Sequence, residues 1–570
     1  MPTQHKKWYT RRRYWTLALL AVLAYFCLIP SPLRVSPETT GYTTPLLPNG
    51  DVDYFGAYEQ TYIHKLSPPE DNGQRLLIAA CGPRVLEQSA LANTFSWEEL
   101  PTNERSKNWF EEQWIPLCEH MYIDPYAKPK FLDSLNWHEF MQRLWKTNHK
   151  EGEPHSPEEE WEQQYNTLWN KLVAAPWTAE EQPDTARWLE ERSPVLDLFG
   201  VAVRKPNFVS WRQRPESGLW YMILLPDVQA QRMFGRDLKI RITERLGRGD
   251  IDGAWYDVMS MFYLSRKHYV HDPLLVVNLV GLAIEMMGWE SAQVILQHGN
   301  PTPEQLERFA KDLASLPRVM TLYSDTELYG PYLGVQTLHR NRKALESLLA
   351  ENGRSPGKKI TNLESFFLYL FGGLGDTLTG DFLPRYITLL PFDRNIAGKR
   401  ITEFLQTEQR ISGDTAWTVN TITAKKHLEN IEKGSIEKGW QLNSRWNLLR
   451  VPLIHTRSEL IADYMISQLH PAIRAVQRAL DRANTQFDML RIAVALERYK
   501  SAEGSYPSDL ESLVPRFLEE VPLDPFTGRK TLVYKLSPDS ETAVLLHSSA
   551  WDESPTSNYK GLYLRIAAEK

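Results

Sequence analysis

Four stretches of this 570-residue chain carry residue types that can do chemistry. His138-Glu139, with His149 further on, offers two imidazoles and a carboxylate. A zinc-protease helix needs its two histidines one turn apart on one face, as in HExxH, and His149 comes too late for that. Asp184, Glu190 and Glu191 offer carboxylates in a Trp-containing segment. Glycosidase chemistry needs two acids facing one sugar bond at a defined separation, which spacing alone does not establish. Phe371-Gly372-Gly373-Leu374-Gly375 has the glycines of a phosphate loop, but neither the lysine nor the preceding strand that GxxxxGK[ST] requires. Arg248-Gly249-Asp250 spells an adhesion tripeptide, yet it opens an apolar helix and reads as a turn with a cap. GxSxG does not occur, and no Ser/His/Asp set stands at a recognisable spacing. The expectation is a non-catalytic protein with no catalytic, cofactor-binding or metal-binding residues to assign.

The cysteines add little chemistry. Cys27 lies in an apolar N-terminal stretch. Cys81 and Cys118 can pair if the body is extracytoplasmic, but nothing in the sequence brings them together. The net charge of −6 excludes nucleic acid as the default partner, because phosphate binding needs clustered Lys and Arg. Trp (19) and Tyr (25) are abundant, which fits either a core of large amphipathic rings or a carbohydrate or peptide groove.

The elements that position these residues begin with an anchor. Lys6, Lys7, Arg11, Arg12 and Arg13 precede Tyr14–Ile29, which is uncharged and almost wholly apolar. That stretch is slightly short for a bilayer, but Trp8, Tyr9, Tyr14 and Trp15 suit the interface. No small-x-small cleavage site follows, so the expectation for residues 1–30 is a basic tail and an uncleaved, single-pass transmembrane signal-anchor in the cytoplasmic membrane. The basic residues put the N-terminus inside and the bulk in the periplasm. Pro30, Pro32, Pro37, Pro45 and Pro48 make residues 31–50 an extended spacer.

Residues 51–457 read as a helical body. Helical patterning covers 51–66, 75–80, 130–147, 157–173 and 184–202. One or two helices then run to Gly247. Two strongly apolar helices follow, joined at His271-Asp272-Pro273, with Asp250 and Asp252 placed to cap and Ala254 and Gly281 small enough for close approach. Thr302-Pro303-Glu304 starts a helix over 303–315. The hairpin has tetratricopeptide style, but no second copy recurs at a fixed period. Shorter helices are expected at 327–349, 361–374, 382–390 and 398–411.

Residues 458–570 form the last unit. A long helix starts near Ser458, with Pro471 as a start or kink. Ile473, Val476, Leu480, Ala483, Phe487, Leu490 and Val494 step by three and four, a stripe for the body or for a filament partner. Tyr506-Pro507 ends the helix, and strands are expected at Thr531–Leu536, Thr542–His547 and Lys560–Ile566. The fold class is therefore mainly α: a transmembrane helix, a helical-hairpin body and a small C-terminal α+β module of one long helix and about three antiparallel strands.

ALERYKSAEGSYPSDLESLVPRFLEEVPLDPFTGRKTLVYKL, from Ala495, resembles the C-terminal module of major pseudopilins of type II secretion systems. The carriers are Tyr499, Gly504, Tyr506-Pro507, Leu510 with Leu513, Asp524-Pro525-Phe526, Gly528 and Tyr534. The likeness covers about the last seventh of the chain. The prepilin processing site is absent, which argues against a pilus subunit. The resemblance also implies a calcium loop before the last strand. Here SSAWDESPTSNYKG (548–561) has Asp552 and Glu553 but lacks the family's Gly-Asp-Gly core. The whole layout is similar to a group of uncharacterised membrane-anchored proteins of planctomycete-type bacteria, through DVDYFGAYEQ (51–60), PPEDNGQRLL (68–77), ARWLEERSPVLDL (186–198) and GDIDGAWYDV (249–258). The anchor, the hairpin-rich body and the lack of a catalytic constellation lead to the expectation of an envelope scaffold or interaction module with protein partners, and the resemblance of the terminal module implies a link to a secretion or pilus-like assembly. Two alternatives stand beside it: a cell-wall or carbohydrate-active enzyme, and a carrier of a small ligand or lipid with its cavity between helices 254–296.

Overall fold

The computed structural model describes residue 15 and residues 31–60, 68–86, 108–148, 157–214, 225–271, 275–319, 393–413, 454–524, 530–536, 544–547 and 563–566. It is mainly helical. In chain order the helices are α1 (Tyr54–Tyr58), α2 (Gly73–Cys81), α3 (Ile115–His120), α4 (Trp137–Asn148), α5 (Pro157–Ala174), α6 (Pro183–Val203), α7 (Pro226–Gly247), α8 (Ile251–His271), α9 (Leu275–His298), α10 (Pro303–Ser315), α11 (Arg394–Gly413) and α12 (Ile454–Glu503). Strands β1 (Val533–Leu536), β2 (Val544–His547) and β3 (Tyr563–Ile566) form an antiparallel sheet in the order β1-β2-β3. The expected transmembrane segment, the helices expected at 327–390 and the 548–561 loop lie outside the described residues.

Local chemistry sets the helix ends. Thr302 Oγ1 accepts from the Gln305 amide while Gln305 Oε1 accepts from the Thr302 amide, so α10 opens on a complete capping box with Pro303 behind it. Asp250 accepts from the Gly253 amide at the start of α8, which makes the Arg248-Gly249-Asp250 stretch a turn and cap. Asn72 caps α2 and also bonds Val209, fixing α2 to the chain leaving α6. A Cβ on Gly73 would stand 2.0 Å from the Ala202 carbonyl, so that contact requires glycine.

The centre of the body is α7, α8 and α9, which pack on one another. Ala254, Val258, Met261 and Phe262 of α8 are buried, as are Val277, Ile284, Ala292 and Ile295 of α9. Gly281 and Gly288 bring α9 close: a Cβ there would meet His268 at 3.2 Å and Phe262 at 3.1 Å. Helices 254–296 are thus in direct contact over these residues. One hydrophobic cluster continues from Phe55 through these helices to Leu496, Leu513 and Leu532.

Helix α12 begins at Ile454 and runs without a break through Pro471, where a start or kink is expected. It packs against α11, α9 and α10. The stripe residues Leu480, Ala483, Phe487, Leu490 and Val494 are buried on the body. Beyond Gly504 (φ +85°), Tyr506 donates to Glu497 at 2.5 Å and Tyr534 donates to the Pro507 carbonyl at 2.7 Å. These bonds fold the C-terminal segment back along α12.

Residues 31–50 are not the extended spacer expected of their prolines: they turn at 36–41, where the Thr39 and Thr40 amides donate to the Ser36 carbonyl, Leu46 bridges Val52, and their start is docked. The Ser31 amide donates to Asp393 (3.1 Å) and the Arg34 amide to Asn395 (2.7 Å), while Asn395 donates to the Pro32 carbonyl (2.9 Å). Tyr54 donates to the Thr40 carbonyl (2.7 Å). The Pro-rich stretch therefore lies along the start of α11.

Candidate functional site

Carboxylates and arginines are common in the buried part of the body, and most are closed on one another. Between α7 and α8, Arg241 donates through Nε and Nη2 to both oxygens of Asp257 (2.9 and 2.6 Å) and through Nη1 to Asp197 (2.7 Å) and the Ser193 carbonyl (3.2 Å). Arg245 adds a second contact to Asp257 at 3.0 Å. Arg266 of α8 pairs with Glu285 of α9 and donates to the Pro317 carbonyl (3.1 Å), with its guanidinium 4.9 Å from the Phe487 ring. Arg212 pairs with Asp227 beside Gln74 and Gln231. Such groups clamp elements together. Burial pushes the Asp257 carboxyl upward, and Arg241 and Arg245 oppose that shift.

One arginine is placed differently. Arg192 of α6 donates from Nε to Asp237 of α7 (2.9 Å) and from Nη1 to the Ser134 hydroxyl (3.2 Å), and its guanidinium lies 4.9 Å from the Phe234 ring. Asp237 is fully buried, which raises its carboxyl, while Arg192 and the Trp137 amide (3.0 Å) oppose that. Arg192 Nη2 makes no hydrogen bond among the described residues. Arg192 lines a half-open cavity of about 270 Å³, whose polar lining is Ser134, Asn136, His138, Glu139, Gln142 and Arg192. Phe131, Phe234, Met233, Ala230 and Val85 supply the apolar wall, with Cys81 beside them.

The first turn of α4 builds the polar side. Asn136 Oδ1 accepts from the Glu139 amide and Glu139 Oε2 accepts from the Asn136 amide, both at 3.0 Å. This reciprocal cap holds Glu139 in place and leaves Asn136 Nδ2 unbonded among the described residues. His138 sits against the edges of Trp161 and Tyr165. Burial, and then Arg236, lower its pKa, so the ring is neutral at pH 7. The Gln142 amide nitrogen donates to His138 Nε2 at 2.9 Å, which puts the ring proton on Nδ1.

The sequence-derived candidates fall as follows. His138 and Glu139 share the cavity, but Glu139 is engaged in a cap, and His149 lies outside the described residues. Among the described residues no cluster of His, Cys, Asp and Glu could hold a metal. Asp184, Glu190 and Glu191 are exposed on α6, Asp184 facing Arg187 at 3.8 Å. Their neighbour Trp188 is buried, its indole N–H on the Leu135 carbonyl (2.9 Å). Other tryptophans behave alike: Trp177 donates to Thr243 (3.1 Å) and Trp255 to Asp312 (3.0 Å). Aromatic wealth here serves the core. Cys81 and Cys118 are free and buried, and burial raises their thiols to about 11 and about 12, which keeps both protonated and unreactive.

Arg192, Ser134, Asn136 and Gln142 had no signal in the sequence. They come from α6, the turn before α4 and α4 itself, and they meet only when the start of α4 is docked on α6, as the Arg192–Ser134 bond shows. The chain matches no family model, no curated protein and no solved structure.

Proposed function

We propose that this chain is a non-catalytic, membrane-anchored envelope protein that acts as a scaffold or interaction module. Residues 1–30 are its single-pass tether, with the N-terminus inside and the body in the periplasm. The observation that carries this reading is the docking of Ser31, Pro32 and Arg34 on Asp393 and Asn395. The residues that leave the apolar stretch are bonded to the body at once, so the tether would hold the body against the membrane surface rather than on a loose leash.

Two further observations support a scaffold. The exposed acids of α6 face solvent rather than a cleft, and the closed arginine pairs join helices. The resemblance of the C-terminal segment to pseudopilins supports a partner in a secretion or pilus-like assembly. With the α12 stripe covered by α9 and α10, such a partner would meet the outer surface of the module. In-cell crosslinking of the full chain, followed by identification of the linked proteins, tests the proposal. The expected result is recovery in the envelope fraction with the same envelope proteins in every replicate. Recovery from the cytosol, or no reproducible link, would overturn it.

A further inference from the structure

We propose that the cavity between α4, α6 and α7 binds one neutral sugar ring. The inference is independent of the tether, since no residue of the cavity comes from the N-terminal segment.

Size comes first. The cavity volume of about 270 Å³ lies just below the range of drug-sized pockets. A single ring with its hydroxyls fits that space. Charge comes next. The ionic groups that line the cavity or act on its lining are Arg192, Arg236, Asp237 and Glu139. Two positive and two negative charges cancel. His138 is neutral and the Cys81 thiol is protonated. A ligand with its own charge would enter without a free counter-ion, because Arg192 is already paired with Asp237, so an uncharged ligand is favoured.

The hydrogen-bonding groups narrow the class further. Arg192 Nη2, Asn136 Nδ2 and His138 Nδ1 are donors without partners among the described residues. Gln142 Oε1 is a matching acceptor, and the Ser134 hydroxyl serves in either role. Arg192 is itself 7% exposed, so its open nitrogen is a built feature of the wall rather than a surface charge. Phe131, Phe234 and Met233 line the same cavity, Phe234 with its ring 4.9 Å from the Arg192 guanidinium. A ligand that offers both hydroxyl donors and acceptors along its edge, and a C–H face for the rings, matches both kinds of lining.

The test is calorimetric titration of the full chain in a zwitterionic detergent, since glycoside detergents carry sugar heads. Glucose, galactose and N-acetylglucosamine are the probes, with succinate and alanine as charged comparators. At least one sugar is expected to saturate a single site at millimolar concentration or below. Gln142→Ala, at the exposed rim, should weaken that binding about tenfold, as loss of one hydrogen bond does, with an unchanged melting temperature. Ala230→Leu, which fills the wall, should abolish it, and circular dichroism checks that this variant is folded. No saturation by any of the three sugars, saturation by succinate or alanine alone, or equal sugar binding by Gln142→Ala would each overturn the proposal.

Discussion

Two stretches of this chain are apolar enough to enter a bilayer, and they differ in what surrounds them. Tyr14–Ile29 is short, free of charge and preceded by five basic residues. Val277–His298 of α9 passes the length and composition test, yet 61% of its window is buried inside the fold. Glu285, in the middle of α9, is paired with Arg266 across the α8–α9 contact. Leu282 and Ile284 pack inward, and at Gly281 and Gly288 a Cβ would stand only 3.2 Å from His268 and 3.1 Å from Phe262, tighter than ordinary van der Waals contact. A buried acid with its own arginine belongs to a packed protein interior, where the pair is satisfied by geometry. Hydrophobicity therefore marks both stretches, and the partners decide which role each takes: α9 is the core helix, and the N-terminal stretch is the proposed tether.

The largest expected effect comes from breaking the α8–α9 pair. Glu285→Ala leaves Arg266 buried without its carboxylate and should cost about 3–5 kcal/mol in urea unfolding. Replacing both partners by methionine should recover most of that loss, since only the uncompensated charge is expensive. A smaller effect is expected from Gly288→Val, which drives a side chain onto Phe262 and Met261 and should cost about 1–3 kcal/mol by the same measurement. A lipid-facing helix would accept that change at no cost, so a neutral result would weaken the assignment of α9 to the core. Thr302→Ala removes the cap that frames α10 against α12 and should cost about 1 kcal/mol.

The smallest expected effect concerns the exit from the tether. Burial raises the Asp53 carboxyl, but its bonds to Arg214 and the Gly56 amide outweigh that and hold it below the ordinary 3.8. The stabilisation it brings is complete above pH 3.8 and is lost as pH falls through the lower, folded value. Hydrogen exchange over residues 31–58, corrected for intrinsic rates, should accelerate in that acid range. Asp53→Asn should remove this step in the pH dependence.

Much of the fold was legible because its signals are local. Thr302-Pro303-Glu304 specified the start of α10, and Gly247 and Gly504 lie at the ends of α7 and α12. The strands β1, β2 and β3 fall within the segments expected for them. What escaped depends on distant partners. Nothing near Pro32 announces Asn395, which lies 363 residues away, and the helix continues through Pro471 where the local signal predicts a start or a kink. The cavity was opaque for the same reason. His138 and Glu139 drew notice as a metal motif, while the groups that give the site its character, Arg192 with one open nitrogen and Asn136 with an open amide, depend on which bonds their neighbours already use.

The central claim is that the protein is held to the membrane by its N-terminal stretch while its folded body, α9 included, stays out of the lipid. Gradient flotation of membranes after an alkaline wash tests this most directly, comparing the full chain with one that starts at Ser31. The account predicts that the full chain floats with the membranes and that the shortened chain is released. A shortened chain that still floats would mean that lipid contact resides in the body, and would contradict the account.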